Sequence, residues 1–327
     1  MMKKVKLILD TDLGGDCDDA GMMAMMHRLC DGGHAELLGV THCYSSPYLA
    51  GCIDAINTYF DRVVPVGINY QKPLQGKNVY DQALCEEFPN RFFSSGATKT
   101  DAVPDSVALI RKLLYEAEDH STTLVATGKM YTLADLILSQ GDTICPLSGK
   151  ELVRKKLLRT VIMGGRFFES WPMPIFESNN PAHQQVTWEW NIYHHGKGVA
   201  ASQTVFDCWE GELVLASYEI GAPLITMKNY ILEAPEDDPV RRAYELHSKG
   251  VPKGRSSWDH TAMLEAIFPG EYWNYHEYGR IRVDDGGITS WSPDPSCRHT
   301  YLLPKADHGT LCALIDHIVD PKRKVEK

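Results

Sequence analysis

The sequence predicts an α/β protein with an open, mostly parallel sheet and helices on both faces. Short apolar runs alternate with longer amphipathic runs along most of the chain. The short runs are almost wholly apolar, as expected for strands that are buried on both faces. Strand–helix alternation favours crossovers that return each strand parallel to a neighbour. No low-complexity linker or internal repeat interrupts the 327 residues, so we expect a single domain over residues 1–327.

The elements follow in order along the chain. The predicted strands are 5–9, 36–41, 63–67, 122–126, 158–163 and 213–217. The predicted helices between them are 18–30, 48–61, 104–118, 131–140 and 196–206. A small C-terminal β/α addition follows, with helices over 236–249, 259–267 and 307–319 and strands near 280–284 and 299–303 that we expect to pair as a hairpin. Segment 166–187 is rich in Pro, Trp and Asn and is predicted to be a loop over one edge of the sheet.

Composition excludes several classes of protein. The net charge of −10 argues against a nucleic-acid binder, which usually has a basic face. No apolar run approaches the roughly 18 residues of a membrane span, and the apolar run before Asp10 is too short for a secretory signal. The nine cysteines form no Cys-x-x-Cys pair, which indicates reduced thiols and a cytoplasmic location.

An acidic loop near the start of the chain is the strongest functional signal. It contains five aspartates, Asp10, Asp12, Asp16, Asp18 and Asp19, between two apolar runs. These carboxylates repel one another unless a cation or ordered donors hold them, and hard metal ions take oxygen ligands. The loop joins a predicted buried strand to a predicted helix, the edge at which open α/β sheets bind ligands.

Three known motifs compete for this loop. An EF-hand that starts at Asp10 would need Glu at its twelfth position, where the chain has Gly21. An Asp-x-Asp phosphatase motif fits Asp10 and Asp12 but lacks the hydroxyl or branched residue that should stand at Gly14. A P-loop pattern occurs nowhere in the sequence. The metal phosphatase therefore stays open as an alternative.

The whole pattern Asp-Thr-Asp-x-Gly-x-Asp-x-Asp-Asp-Ala resembles the opening of the inosine-uridine-preferring nucleoside hydrolase family. Four further segments are similar to family motifs and follow in the correct order, Val125–Gly128, Val161–Gly165, Glu189–Ile192 and Ser257–His260. The resemblance spans roughly residues 5 to 267. It implies a Rossmann-like fold and Ca²⁺-dependent hydrolysis of a ribonucleoside to a free base and ribose.

The resemblance also implies roles for individual residues. The expected metal ligands are Asp12, Asp19, Asp259 and the carbonyl of Thr127. Asp12 is also the expected catalytic base. The expected substrate-binding residues are Asp18, Met163, Asn180 (or its neighbour Asn179), Glu189, Asn191 and Trp258. We expect Asp10 and Asp16 to orient the ligands.

The chain departs from the family pattern at several positions. Trp258 stands where many members have a histidine that protonates the leaving base, and purine-preferring members also have Trp there, so we favour a purine; His260 is a second candidate proton donor. Lys129 and Met130 follow Gly128 where the family usually has proline. Ser45 or Ser46 stands where an asparagine is expected. These departures predict a remodelled sugar pocket, with Trp171, Phe176, Trp188 and Trp190 as candidate walls.

The expected partners are a nucleoside and further copies of the chain, as a homodimer or homotetramer, with neither nucleic acid nor membrane. Two alternatives to the hydrolase stay open. The first is a nucleoside- or sugar-binding protein of the same fold that has lost catalysis. The second is the Asp-x-Asp metal phosphatase.

Overall fold

Strands and helices alternate along the chain as the apolar pattern predicts. The computed structural model describes residues 4–91, 103–167 and 188–322. Its strands are β1 (Val5–Thr11), β2 (Ala35–His42), β3 (Val66–Ile68), β4 (Thr122–Ala126), β5 (Leu157–Met163), β6 (Leu213–Ala216), β7 (Ile225–Thr226), β8 (Arg255–Ser256), β9 (Trp273–Tyr275), β10 (Arg280–Val283), β11 (Thr289–Ser292) and β12 (His299–Pro304). The helices of the first half are α1 (Asp18–Asp31), α2 (Leu49–Tyr59), α3 (Asp81–Glu87), α4 (Ser106–Glu116), α5 (Tyr131–Leu138) and α6 (Gly149–Lys156). Those of the second half are α7 (Trp190–Tyr193), α8 (Val199–Cys208), α9 (Tyr218–Gly221), α10 (Lys228–Glu233), α11 (Pro239–His247), α12 (Trp258–Ile267) and α13 (His308–Val319).

The main sheet has eight strands among the described residues, in the order β3-β2-β1-β4-β5-β6-β12-β9. Every neighbouring pair from β3 to β12 is parallel, and only the edge strand β9 pairs antiparallel, with β12. The predicted fold class, an open and mostly parallel sheet, is therefore confirmed.

Alternate residues of the central strands pack into two separate apolar layers. In β1, Leu7 and Leu9 belong to one cluster of buried residues and Ile8 belongs to the other. The first layer contains α1, α2, α12 and α13, and the second contains α4, α5, α6 and α8. Because both faces are covered, each central strand is apolar throughout, which is why the sequence shows these strands as short apolar runs.

The predicted C-terminal hairpin is wrong. Strand β10 pairs with β11, and β12 instead joins the main sheet beside β6. Tyr301 and Leu302 of β12 pack into opposite apolar layers, as residues of a central strand do. The sequence of β11, Thr-Ser-Trp-Ser, has one apolar residue in four and therefore carries no strand signal.

The sequence analysis also made expectations about the cysteines and about membrane-spanning segments. All nine cysteines are free thiols. None of the described helices combines the length and the apolar content that crossing a membrane requires.

Candidate functional site

The carboxyl ends of β1, β4 and β5 lie side by side at one edge of the sheet. Asp12 follows β1, Thr127 follows β4 and Met163 ends β5. The Thr127 amide donates to the Asp10 carbonyl at 2.8 Å, which sets the first two ends level. Gly128 permits their close approach, because a Cβ there would lie 2.9 Å from the backbone nitrogen of Asp12. The fold thus brings three predicted site segments together.

Three aspartates from distant parts of the chain form a buried cluster at this edge. Asp18 and Asp19 lie in the first turn of α1, and Asp259 lies in the first turn of α12. Each offers a carboxylate oxygen within 4.8 Å of the other two. Each residue is at most 4% exposed. Two of these were predicted as metal ligands, and Asp18, predicted as a sugar contact, lies with them because α1 and α12 pack against each other.

The three buried carboxyl groups of this cluster are costly to ionise unless a cation lies beside them. Burial and the neighbouring Asp12 carboxylate raise the pKa of Asp19 to about 8. Burial raises the pKa values of Asp18 and Asp259 well above the usual range, with further contributions from the carboxylates of Asp16 and Asp19 for Asp18 and of Asp18 and Asp19 for Asp259. A divalent cation would remove this repulsion, and three convergent carboxylates are the oxygen donors that hard cations prefer. The residues present therefore fit a hard divalent metal ion.

Two threonine hydroxyls orient Asp19. Thr11 Oγ1 and Thr127 Oγ1 both donate to Asp19 Oδ1, the second at 3.2 Å. These donors come from the ends of β1 and β4, so the position of the carboxylate is tied to the sheet. The Thr11 contact was not predicted, although the Asp-Thr-Asp sequence places a hydroxyl between two acids.

Asp12 is paired with a lysine ammonium that sequence analysis noted only as a departure from the family pattern. Lys129 Nζ forms an ion pair with Asp12 Oδ2, and the two side chains are 6% and 18% exposed. The ring of Trp190 lies over the ammonium, with its centroid 5.8 Å from Nζ. Asp12 is not one of the three residues of the buried cluster. A positive charge thus lies beside the predicted catalytic base.

Asn191 ties two strand ends together. Its Nδ2 donates to the carbonyl of Thr127 at 2.8 Å and to the carbonyl of Met163 at 3.2 Å. The residue is 6% exposed. A carbonyl oxygen has two lone pairs, so the Thr127 carbonyl retains one for a further partner such as a metal.

Glu189 is the N-cap of the short helix α7. Its carboxylate accepts bonds from the amides of Asn191 at 2.9 Å and Ile192 at 3.2 Å. It also accepts one from the Gly165 amide at 3.3 Å, which joins α7 to the loop after β5. Burial raises the pKa of Glu189 to about 7. The capping contacts hold this carboxylate rigidly at the site edge.

The two aspartates predicted as supporting residues have different surroundings. Asp10 is fully buried, accepts a bond from Thr41 Oγ1 at 2.6 Å, and has its pKa raised to about 8 by burial. Asp16 pairs instead with Arg255, whose Nε lies 2.9 Å from Asp16 Oδ1. His247 Nε2 lies 3.4 Å from the same oxygen.

Trp258 lies next to the cluster and is held from two sides. The Arg255 guanidinium lies over its ring at 4.8 Å. Its Nε1 donates to the Tyr218 carbonyl at 3.1 Å, and the two rings lie 5.5 Å apart with an angle of 30° between them. His260 is fully buried, and its ring packs on Gly21 of α1, where a Cβ would lie 2.8 Å from Nε2. Burial lowers the pKa of His260 to about 3, which disfavours the protonated form of its ring.

An unpredicted group of rings lies on the far side of Lys129. Tyr131 Oη lies 2.9 Å from His194 Nδ1, and Tyr44 Oη lies 3.1 Å from the same nitrogen. His194 has a φ of 38°, the left-handed region that a non-glycine residue rarely adopts. Trp190 also contacts His194, with ring centroids 5.9 Å apart. Trp190 was expected as a pocket wall, but no local pattern marks the other three, because they come from the loop after β2, the start of α5 and the end of α7.

Some predicted residues lie outside the described residues. These are Asn179, Asn180, Trp171 and Phe176. Trp188 is described, and its ring stacks on Tyr193 with centroids 4.5 Å apart.

Comparisons with known proteins bear on the family and the fold of the chain. The family model described as inosine-uridine preferring nucleoside hydrolase matches residues 7–288, most of the chain. No curated protein is similar enough in sequence to match.

Solved structures share the fold at low sequence identity. An inosine-uridine preferring nucleoside hydrolase from Bacillus anthracis is 17% identical, with 97% of this chain and 99% of that one covered and a TM-score of 0.65. A purine-preferring ribonucleoside hydrolase from Gardnerella vaginalis is 16% identical, with 97% and 98% covered and a TM-score of 0.68. The type III effector protein XopQ, solved with adenosine diphosphate ribose, is 14% identical, with 98% and 93% covered and a TM-score of 0.65.

The family match covers the acidic loop, the strand ends and the first turn of α12, which together form the site described above. The chain therefore belongs to the inosine-uridine preferring nucleoside hydrolase family, whose members are enzymes that act on N-glycosyl compounds.

Proposed function

We propose that this chain hydrolyses the N-glycosidic bond of a ribonucleoside, with Ca²⁺ as its cation, and releases a free base and ribose. The observation that carries the proposal is the buried cluster of Asp18, Asp19 and Asp259 beside the strand ends. The cluster offers only oxygen atoms, which suits calcium, a cation that takes six to eight oxygen ligands. The carbonyl of Thr127 and the hydroxyls of a ribose are further oxygens of the same kind.

The chain's own residues account for the reaction. Bound calcium, held by Asp19 and Asp259 with Asp18 beside them, would supply positive charge for the ribose hydroxyls and lower the pKa of a water molecule. Asp12 accepts the proton of the attacking water as the water oxygen bonds to the sugar carbon and the bond from that carbon to the base nitrogen breaks. The departing nitrogen takes up a proton from solvent, so that free base and ribose are released, and Asp12 then returns its proton to solvent. The carboxylates around the sugar stabilise the positive charge that develops on it more than they stabilise the ground state, which lowers the barrier.

A nucleoside panel tests the activity. Purified protein with Ca²⁺ is incubated with inosine, adenosine, guanosine, uridine and cytidine, and the free base is measured by chromatography. Release of a base from at least one of them, lost on chelation, is the expected result. No base from any nucleoside, by protein that is folded and binds Ca²⁺, would rule out the proposed activity.

We further propose a preference for a purine base, supported by the aromatic pair Trp258 and Tyr218 next to the cluster. Stacking of a base on an aromatic side chain contributes about 1–3 kcal/mol. Trp258→Ala should therefore lower kcat/KM for inosine by about tenfold or more and lower that for uridine less, because a pyrimidine offers a smaller stacking surface. Trp258→Phe, which keeps an aromatic ring, is the matched control and should retain the preference. Equal losses for both nucleosides in Trp258→Ala would contradict a stacking role.

One observation favours a second candidate function. The Lys129 ammonium forms an ion pair with Asp12, the residue that must accept a proton in the hydrolase. A binding protein that has lost catalysis would show tight, calcium-dependent binding of a ribose-containing ligand without turnover. Calorimetry with ribose and adenosine diphosphate ribose, alongside the turnover assay, distinguishes this protein from the enzyme.

Assembly and location complete the proposal. We propose that the chain forms a homodimer or homotetramer, as the family resemblance implies, and that it is cytoplasmic, which its free cysteines support. Sedimentation of the purified protein distinguishes these states from a monomer.

A further inference from the structure

His42 is a fully buried imidazole at the end of β2, next to the acidic loop. Its Nε2 lies 3.0 Å from the carbonyl oxygen of Leu13, the residue that follows Asp12. Its Nδ1 lies 3.0 Å from the amide nitrogen of Tyr44, in the turn after β2. One side chain therefore joins the loop that carries Asp12 to the turn that carries Tyr44.

The two partners of this ring fix its protonation state. A backbone amide can only donate a hydrogen bond, so Nδ1 accepts the bond from Tyr44 and carries no proton. A backbone carbonyl can only accept, so Nε2 carries the proton and donates it to Leu13. Burial also lowers the pKa of His42 to about 4, which favours the same neutral form. A single neutral tautomer therefore makes both bonds.

The pairing of β1 with β2 brings the imidazole to the acidic loop. His42 lies beside Thr11 in the parallel register, so its side chain starts level with the end of β1. The loop backbone is tied on either side of the imidazole contact. The Leu13 amide donates to Thr11 Oγ1 at 3.2 Å, and the Gly14 carbonyl accepts a bond from the Tyr80 amide at 3.1 Å. The bond from His42 holds the Leu13 carbonyl between these two ties.

We propose that His42 is a positioning residue that acts through the carbonyl of Leu13 and holds the acidic loop in the arrangement that binds a divalent cation. Its effect on turnover rests on the proposed function, whereas its effect on cation binding does not. Carboxylates of like charge repel one another, so a tether on the loop backbone lowers the cost of bringing them together. The bond joins an imidazole to a backbone carbonyl, so it does not compete with the cation for carboxylate oxygens.

Two substitutions separate the two bonds of the ring. The amide nitrogen of a glutamine side chain stands as many bonds from Cβ as Nε2 of histidine does. His42→Gln therefore retains a donor for Leu13 and loses the acceptor for Tyr44. The amide oxygen of an asparagine side chain stands as many bonds from Cβ as Nδ1 does. His42→Asn therefore retains the acceptor for Tyr44 and loses the donor for Leu13.

Ca²⁺ affinity is measured by calorimetry, without nucleoside, for the unmodified protein and both variants. His42→Asn should bind Ca²⁺ about three- to tenfold more weakly, which corresponds to the net contribution of one hydrogen bond. His42→Gln should stay within about twofold of the unmodified protein, because the bond to Leu13 remains. At saturating Ca²⁺ and nucleoside, kcat for base release should also be lower in His42→Asn than in His42→Gln, because a misplaced Asp12 stays misplaced when the cation is bound.

His299→Asn is the matched control. His299 is also fully buried, and its Nε2 lies 3.2 Å from a backbone carbonyl, that of Trp209. It begins β12, which runs parallel to β6 and so to the other central strands. The control therefore lies at the opposite edge of the sheet from the acidic loop. It should lower the melting temperature and leave Ca²⁺ affinity unchanged.

Two results would overturn the proposal. Equal Ca²⁺ affinities in His42→Asn and His42→Gln would mean that the bond to Leu13 has no role of its own. A loss of affinity in His299→Asn as large as that in His42→Asn would mean that general loss of stability accounts for both. Circular dichroism melting shows which variants fold. If His42→Asn does not, His42→Gln decides alone, because unchanged affinity supports the tether to Leu13 and a loss of about tenfold or more contradicts it.

The titration needs no nucleoside, so its failure is separate from that of the hydrolase proposal. Protein that shows the expected order of affinities but releases no base contradicts the enzyme and leaves the role of His42 intact. Protein that releases base while both His42 variants bind Ca²⁺ alike contradicts the role of His42 alone.

Discussion

Replacement of Asp12 by asparagine is expected to lower kcat for base release by about 100- to 10,000-fold, the usual contribution of a general base. Asparagine has nearly the same shape but cannot accept a proton. Asp12 lies at the edge of the sheet with its side chain 18% exposed, so the substitution leaves the apolar layers untouched. Turnover is measured at saturating Ca²⁺, so that weaker cation binding does not contribute to the loss.

Two controls separate this effect from general damage. Asp119→Asn removes a half-exposed carboxylate that pairs with Lys156. It lies on the loop before β4, at the opposite end of that strand from Thr127, and its loss should leave kcat unchanged. The double variant Asp12→Asn/Lys129→Met leaves no buried ammonium without a partner and should still lack turnover, because it has no base. A folded Asp12→Asn protein that keeps more than a tenth of the activity would show that another group is the base.

Replacement of Asp259 by asparagine should have opposite effects on stability with and without calcium. In the cation-free protein, the raised pKa of Asp259 means that folding disfavours its charged form, whereas asparagine is neutral in both the folded and the unfolded state, so the melting temperature should rise. With calcium, the unmodified protein gains about 2.7 kcal/mol of stability at a free concentration 100 times its Kd, whereas the variant should gain almost none. The variant should also lose turnover, since it binds little cation.

The measurement is a pair of thermal melts, in chelator and in excess Ca²⁺, for the unmodified protein and the variant. Asp259 lies in the first turn of α12, where a negative charge stabilises the helix. The loss of this helix-terminal charge in the asparagine variant lowers the free energy of unfolding by at most about 1 kcal/mol. Asp119→Asn again serves as the control and should show the same calcium-induced shift as the unmodified protein. A calcium-induced shift that survives in Asp259→Asn would place the metal elsewhere.

The sequence was most informative where the physical rule is local. Parallel strands buried on both faces are apolar throughout, so β1, β4 and β5 were predicted to within two residues at each end. Their carboxyl ends must then meet at one edge of the sheet. That rule alone placed Asp12, Thr127 and Met163 near one another before any coordinates.

The prediction was wrong where a strand's partner lies far along the chain. The pairing of β12 with β6 depends on which strand of the sheet still has an unpaired edge, and the sequence of either strand alone does not show it. The same limit applies to β11, which is recognised only by its pairing with β10. Segment β10–β11 therefore forms the hairpin that was predicted with β12.

In the acidic loop, too, some features could be predicted from the sequence and others depend on the tertiary structure. From its residue types and its place after a buried strand, the sequence by itself indicated that this loop lies at a ligand-binding edge of the sheet and needs a counter-charge, because like charges in a buried loop repel one another. The choice of Asp12 and Asp19 as metal ligands came from the family resemblance. Only the tertiary structure decided how that requirement is met. Packing of α1 on α12 draws Asp18 into the cluster beside Asp19 and Asp259, and the close approach at Gly128 places Lys129 beside Asp12. Contacts of this kind depend on which helix and strand ends become neighbours in space, a property of the whole fold that no short segment encodes.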